Sequence, residues 1–190
     1  MTGGAARVLM TGSRDWTNEQ TTLDALNAAL ALLGATPSLS VLVHGDAVGA
    51  DRLVAHIAER IGMTGEAHPA KWDQHANACP EWDKPHRTCK LAGHRRNAEM
   101  IMLGADVCLA FPTHGYHLAP GEDRTRTSRG TWNCAEKAKE AGLPTLVVWG
   151  QHLFPFGAAG AQLLAADADR KGLRLGAAGE LPLMEAWLPF

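Results

Sequence analysis

Three times along this chain a glycine-bearing turn falls where a short apolar run should hand over to a helix. The turns read Thr11-Gly12-Ser13-Arg14-Asp15-Trp16, His44-Gly45-Asp46-Ala47-Val48-Gly49-Ala50-Asp51 and Ser128-Arg129-Gly130-Thr131. The runs before them, among them Val41-Leu42-Val43 and Val107 to Phe111, are apolar without alternation. A strand of that kind is buried on both faces, and strands that alternate with helices build a parallel sheet between two helical layers. The predicted fold class is therefore α/β, a Rossmann-like three-layer α/β/α arrangement with a mainly parallel sheet.

The remaining pattern fits this frame. Arg7 to Met10 predicts the first strand, and Thr17 followed by Gln20 reads as a capping box opening a helix. Leu23, Leu26, Leu30 and Leu33 keep helical spacing up to Gly34. Leu53, Val54, Ile57 and Ile61 mark a second helix that stops at Gly62, and Gly65 to Pro69 is a weaker strand. A helix resumes from about His94 and ends at Gly104, another spans Thr131 to Ala141, and Thr145 to Trp149 is a further strand. Residues 1–150 thus predict one Rossmann-like domain carrying an irregular Cys/His-containing loop at 71–93. Residues 151–190 read as an extension that packs on the domain or at a subunit contact. Within it, 159–168 predicts an alanine-rich helix, and the loop 113–129 is placed to fold over a ligand.

Bulk charge narrows the partners. A formal net charge of −2 gives no field for nucleic acid or a membrane surface, so affinity for phosphate has to be local. No apolar stretch is long enough to span a bilayer, and the first residues lack the apolar centre of a signal peptide, which predicts a cytoplasmic protein. Four irregularly spaced cysteines do not suggest a disulfide framework.

The turns supply chemistry because a helix entrance presents free backbone N–H groups and the positive end of the helix dipole to an anion. Gly12 and Ser13 permit close backbone approach, and Arg14 can grip a phosphate with two nitrogens. His44, Gly45, Gly49 and Ala50 form the second turn. There, Asp51 either hydrogen-bonds a ribose hydroxyl or caps its helix, and His44 either contacts ligand or is a hydrogen-bonded structural histidine. Ser128, Arg129, Gly130 and Thr131 join two hydroxyls to backbone donors and make the best single phosphate site. Arg96 and Asn97, close to a helix start, either hold a phosphate and a sugar or belong to a solvated basic face.

With these residues in view, the order Gly12-Ser13-Arg14, His44-Gly45, Gly49-Ala50-Asp51, Pro69-Ala70-Lys71-Trp72, Ala92-Gly93, Arg96-Asn97, Met100 and Ser128-Arg129-Gly130-Thr131 resembles the YspA/YpsA-related branch of the SLOG superfamily. The resemblance runs from about Val8 to Trp149, and such proteins are common in phages and actinobacteria. It implies a sheet that binds nucleotides or nucleotide-derived ligands, and an association of subunits through surface helices. It also implies kinship with the cytokinin-activating phosphoribohydrolases and with DprA-type DNA-binding proteins. By the phosphoribohydrolase motif, Arg96 would be a catalytic arginine if the protein is an enzyme. The catalytic glutamate position of that motif is Cys134 here. Glu136 lies about 200° further round the helix. A neutral thiol neither stabilises a ribosyl cation nor directs water well, which puts that activity in doubt. Asp46, Asp51 and Glu99 are alternative carboxylates, with nothing in the sequence to select one.

The loop concentrates His75, Cys79, His86, Cys89 and His94. Cys79, His86 and Cys89 with either His75 or His94 would complete a structural zinc set; the competing reading is a loop with unrelated thiols and imidazoles. The expected function is binding of a nucleotide or nucleotide-derived ligand for sensing or sequestration, in a homo-oligomer. The alternative is hydrolysis of an N-glycosidic or phosphate bond. DNA binding of the DprA type ranks third.

Overall fold

A computed structural model describes residues 4–113 and 128–166. Most of the loop expected to fold over a ligand, and the chain beyond residue 166, lie outside the described residues. Six strands form one sheet: β1 (Arg7–Gly12), β2 (Val41–His44), β3 (Thr64–Ala67), β4 (Val107–Phe111), β5 (Thr145–Trp149) and β6 (His152–Pro155). The helices are α1 (Glu19–Leu32), α2 (Ala50–Arg60), α3 (Ala92–Met102), α4 (Arg129–Glu140) and α5 (Ala158–Ala165). The spatial order is β3-β2-β1-β4-β5-β6. All neighbours pair in parallel except β5 and β6. The expected α/β class and mainly parallel sheet are present.

Side-chain alternation along the strands divides the core into two layers. Val8 and Met10 of β1 point to the face covered by α1 and α2, where Leu26, Val54 and Ile57 pack on them. Leu9, between them, points to the other face with Val43, Met100 of α3 and Cys134 and Ala138 of α4. Ala110, Val147 and Trp132 continue that second layer towards Phe156. Leu26 is fully buried; cutting such a leucine to alanine costs about 2–5 kcal/mol.

The chain leaves β1 towards β2 on one side and later returns to place β4 on the other, so the strand order reverses between β1 and β4. In an open sheet, that reversal opens a crevice beyond the carboxyl ends of the two strands.

Several element boundaries differ from the sequence expectation. Helix α1 is capped by Asn18, whose Oδ1 accepts from Thr21 N at 3.0 Å, not by Thr17. Asparagine competes well for that position, and the Thr22 hydroxyl, bonded to the Asn18 carbonyl at 2.7 Å, closes the turn around it. Helix α3 opens at Ala92 rather than His94. Strand β3 ends at Ala67, short of Pro69. The residues just past 150 extend the sheet as β6, whose Pro155 is opposite Leu146. Proline lacks an N–H to donate and is tolerated at such an edge.

Candidate functional site at the strand-order switch

The first and third turns meet at the crevice. Gly12 lies in register with Phe111, and Ser13 N donates to the Phe111 carbonyl at 3.0 Å. Ser13 Oγ and Ser128 Oγ are 2.5 Å apart, and Thr113 N donates to both, at 3.1 and 3.0 Å. The second turn closes in from α2, where Ala50 N donates to the Ser13 carbonyl at 3.1 Å. Between these turns and α3 is an open cavity of about 590 Å³, a size that suits a small-molecule ligand.

Of the residues singled out in the sequence, Gly12, Ser13, Arg14, Asp51, Arg96, Asn97, Ser128, Gly130 and Thr131 line this cavity. His44, Gly45, Gly49, Ala50 and Arg129 are outside its lining, the first four where protein packs on protein. The His44 side chain is buried, and its Nδ1 accepts from Asp46 N at 3.2 Å within the turn. Gly45 makes room for a guanidinium: a Cβ there would lie 1.0 Å from Arg96 Nη1. Gly49 has φ +82, and a Cβ on it would meet the Arg14 carbonyl oxygen at 2.3 Å. That position needs glycine for both conformation and space. Ala50 packs on Gly12, whose own Cβ would lie 2.3 Å from Ala50 Cβ. Arg129 is exposed. Glycines in the second turn therefore serve the approach of protein to protein.

Asp51 organises the second turn and also lines the cavity. Its Oδ2 accepts from Gly45 N at 3.0 Å and Ala47 N at 3.3 Å, and Arg96 Nη1 lies 3.7 Å away. Burial pushes the Asp51 carboxyl above its ordinary range, opposed by Arg96 and the two amides. Burial likewise lowers the His44 pKa. The second turn also holds Asp46 at φ 52, a left-handed conformation uncommon outside glycine. Arg96 is anchored from several sides, with Nη1 on the His68 carbonyl at 3.3 Å and Nε on Asn97 Oδ1 at 3.1 Å. Asn97 Nδ2 continues to the Gly130 carbonyl at 3.2 Å and ties α3 to the first turn of α4.

At the head of α4, Thr131 is 2% exposed, and its Oγ1 is a buried polar atom without a hydrogen-bond partner. The Ser128 side chain does not cap the helix. The first N–H groups of any helix have no partner within it. Thr131, which carries this orphan hydroxyl, and the entrance of α4 belong to the wall of the same cavity, which Arg14, Lys90 and Arg96 also line.

Cys134 stays out of this lining. Burial pushes its thiol up to about 11, against a hydrogen bond with Thr11, so it is neutral near pH 7.

Sequence reasoning missed part of the wall. Asp15, Ala47, Trp72, Lys90, Gly93 and His94 also line the cavity. Trp72 and Gly93 stand within the motifs that carried the resemblance, and a Cβ at Gly93 would lie 3.2 Å from the Trp72 ring. Lys90 left no periodic signal, because it sits in the irregular loop.

The same loop brings His75, Cys79, Asp83 and Cys89 together, their potential ligand atoms all within 4.8 Å of one another. This set corrects the sequence expectation. Asp83 takes the place given to His86, whose backbone carbonyl, not its ring, reaches the cluster by accepting from His75 Nε2 at 2.8 Å. Of the two alternatives, His75 joins the cluster, and His94 turns to the ligand cavity.

A family model described as the YspA, cpYpsA-related SLOG family matches residues 6–75, which hold the first two turns. The Gene 61 protein of Mycobacterium phage D29 is 37% identical over 145 residues, covering 74% of this chain and 94% of that protein. The chain belongs to the YspA, cpYpsA-related SLOG family. Among solved structures, this SLOG chain is similar to DNA processing protein A from Streptococcus pneumoniae, with a TM-score of 0.49 and 16% identity over 97% of this chain and 62% of that one. DNA processing protein A from Helicobacter pylori, described as binding single-stranded DNA, gives a TM-score of 0.44 and 16% identity over 85% and 72% of the two chains. Among the described residues of the SLOG chain, no helix is long and apolar enough to cross a membrane.

Proposed function

We propose that this SLOG chain binds a nucleotide or nucleotide-derived anion in the cavity between β1, β4 and α4, for sensing or sequestration. The observation that carries this reading is the unpartnered Thr131 hydroxyl at the entrance of α4. A phosphoryl oxygen placed there would accept from that hydroxyl and from first-turn amides, close to Arg14, Lys90 and Arg96. Trp72, exposed over Gly93, offers an aromatic face for a base.

Binding is favoured over N-glycosidic cleavage. The motif's glutamate position is the buried, neutral thiol of Cys134, and Asp51 Oδ2 is already engaged by two amides. DNA binding is less favoured, since a net charge of −2 gives the chain no overall attraction for a polyanion. We also take the loop cluster to hold a structural metal, with zinc suited to its sulfur and nitrogen donors.

Isothermal titration calorimetry with AMP, ADP, ADP-ribose and pyrophosphate, with chromatography of each mixture, tests the reading. Saturable binding that leaves the nucleotide intact supports it. Released base or phosphate, abolished in Arg96→Ala, replaces it with the hydrolase. Native mass spectrometry of the same preparation tests the proposed homo-oligomer by counting subunits.

A further inference from the structure

The cluster in the 71–93 loop has the features of a built metal centre, and its position gives it a second task. Cys79 Sγ and Cys89 Sγ are 3.6 Å apart. Two thiolates on one tetrahedral zinc lie about 3.8 Å apart given Zn–S bonds of about 2.3 Å, whereas bonded disulfide sulfurs are about 2.05 Å apart. Asp83 is fully buried, with Oδ2 3.4 Å from Cys89 Sγ and 3.6 Å from His75 Nδ1. A carboxylate is buried at great cost unless it is paired or coordinates a metal.

His75 supplies an independent sign. Its Nε2 lies 2.8 Å from the His86 carbonyl, a contact that can be a hydrogen bond only if Nε2 carries the proton. The lone pair is then on Nδ1, which is buried without a hydrogen-bond partner. Metal-ligating histidines are oriented in this way, one nitrogen on the ion and the other donating to a carbonyl.

Charge balance agrees. Two thiolates and a carboxylate exceed a divalent cation by one negative charge. Arg95 Nη1 lies 2.9 Å from Cys79 Sγ and 3.0 Å from Cys89 Sγ, where its guanidinium neutralises that excess.

We propose that His75 Nδ1, Cys79 Sγ, Asp83 and Cys89 Sγ form a closed four-donor zinc centre that holds loop 71–93 in place as a wall of the ligand cavity. The ligand-gating part rests on the nucleotide-binding reading; the metal part does not. The connection is short. Cys89 N donates to the Trp72 carbonyl at 2.7 Å, and Lys90 N donates to Asp83 Oδ1 at 3.3 Å. Arg95 Nη2 holds the Gln74 carbonyl at 2.7 Å. Trp72 and Lys90, both on the cavity wall, are thus tied directly to residues of the centre. With four protein donors and no open position, the centre is structural rather than catalytic.

The test uses the full chain. Inductively coupled plasma mass spectrometry should find one zinc per chain. Cys89→Ser and Asp83→Asn should lose the metal, His86→Ala should keep it, and Arg95→Gln should weaken its retention about 10- to 100-fold. Hydrogen exchange of the wild-type chain before and after chelation guards against variants that misfold. Chelation should abolish protection in 71–93 while β1 and β4 stay protected, and should weaken pyrophosphate binding about tenfold or more. A metal-free preparation with a Cys79–Cys89 disulfide overturns the proposal, and so does a metal-stripped chain whose loop stays protected. Pyrophosphate affinity that is unchanged by chelation overturns the gating. If pyrophosphate binds neither form while the loop loses protection on chelation, the cavity reading fails and the zinc centre stands.

Discussion

Replacing Thr131 with valine separates a ligand-binding hydroxyl from a structural one, because the two roles predict opposite signs. Valine has the same branched shape and nearly the same helix propensity as threonine, so backbone and packing are preserved. The wild-type hydroxyl is buried and unpartnered, and leaving such a group unsatisfied costs about 1–3 kcal/mol. Taking the lower end, Thr131→Val stabilises the ligand-free protein by about 1 kcal/mol, which raises Tm by about 2–4 °C in a chain of this size. Binding moves the other way. A hydrogen bond to a charged oxygen contributes about 1.5–3 kcal/mol, so its loss weakens pyrophosphate binding about 10- to 150-fold. Differential scanning fluorimetry without ligand, paired with calorimetric titration of pyrophosphate, measures both. Thr131→Ser keeps the hydroxyl and should retain most of the affinity. A lower Tm for the valine variant, or undiminished affinity, would falsify the orphan-donor reasoning.

Three other perturbations have defined outcomes. Gly12→Ala forces its Cβ to within 2.3 Å of Ala50 Cβ; the overpacking should cost about 1–3 kcal/mol by urea denaturation, and an unchanged midpoint would contradict the tight seam between β1 and α2. Gly45→Ala drives a methyl into the Arg96 guanidinium, a flexible group that can move. Tm should fall less than for Gly12→Ala while pyrophosphate affinity drops about tenfold, as titration calorimetry would report. Glu66 has its carboxyl held down to about 2, first by the hydrogen bonds from Arg7 and then by His68. A depressed folded-state pKa contributes stability above the unfolded value of 4.5 that is lost as pH falls towards 2. Glu66 is about a third exposed, so the advantage of wild type over Glu66→Gln at pH 7 should be no more than about 1 kcal/mol. Urea denaturation between pH 7 and pH 2 should show that advantage vanish, and a gap that persists at pH 2 would rule out ionisation as its source.

The most legible parts of this protein were those governed by local periodicity. The apolar runs of β1, β2, β4 and β5 and the glycine turns beyond them needed only a pattern of two or 3.6 residues. Lys90 and Trp72 were missed as cavity wall because loop 71–93 has no period, and its course is set by side chains that meet across it; His94, in the first turn of α3, was weighed only as a metal ligand. Asp83 was missed for a related reason: a carboxylate between Pro80 and Pro85 looks like ordinary loop polarity until burial places it beside two thiols. Gly45 and Gly49 raise the converse question. A glycine that admits a ligand and one that admits another part of the chain are identical in sequence, and only the positions of Arg96 and Arg14 tell them apart.

By itself the sequence determined the layered α/β architecture and the glycine-bearing turns at the strand ends, since each depends on neighbours in the chain. Tertiary structure decided which turns share one cavity, which histidine joins the two loop thiols, and why Thr131 is left with an unanswered donor. Those outcomes depend on burial and on distances between residues far apart in sequence. The cost of burying a charge or an unpaired hydroxyl arises only once the fold has removed water.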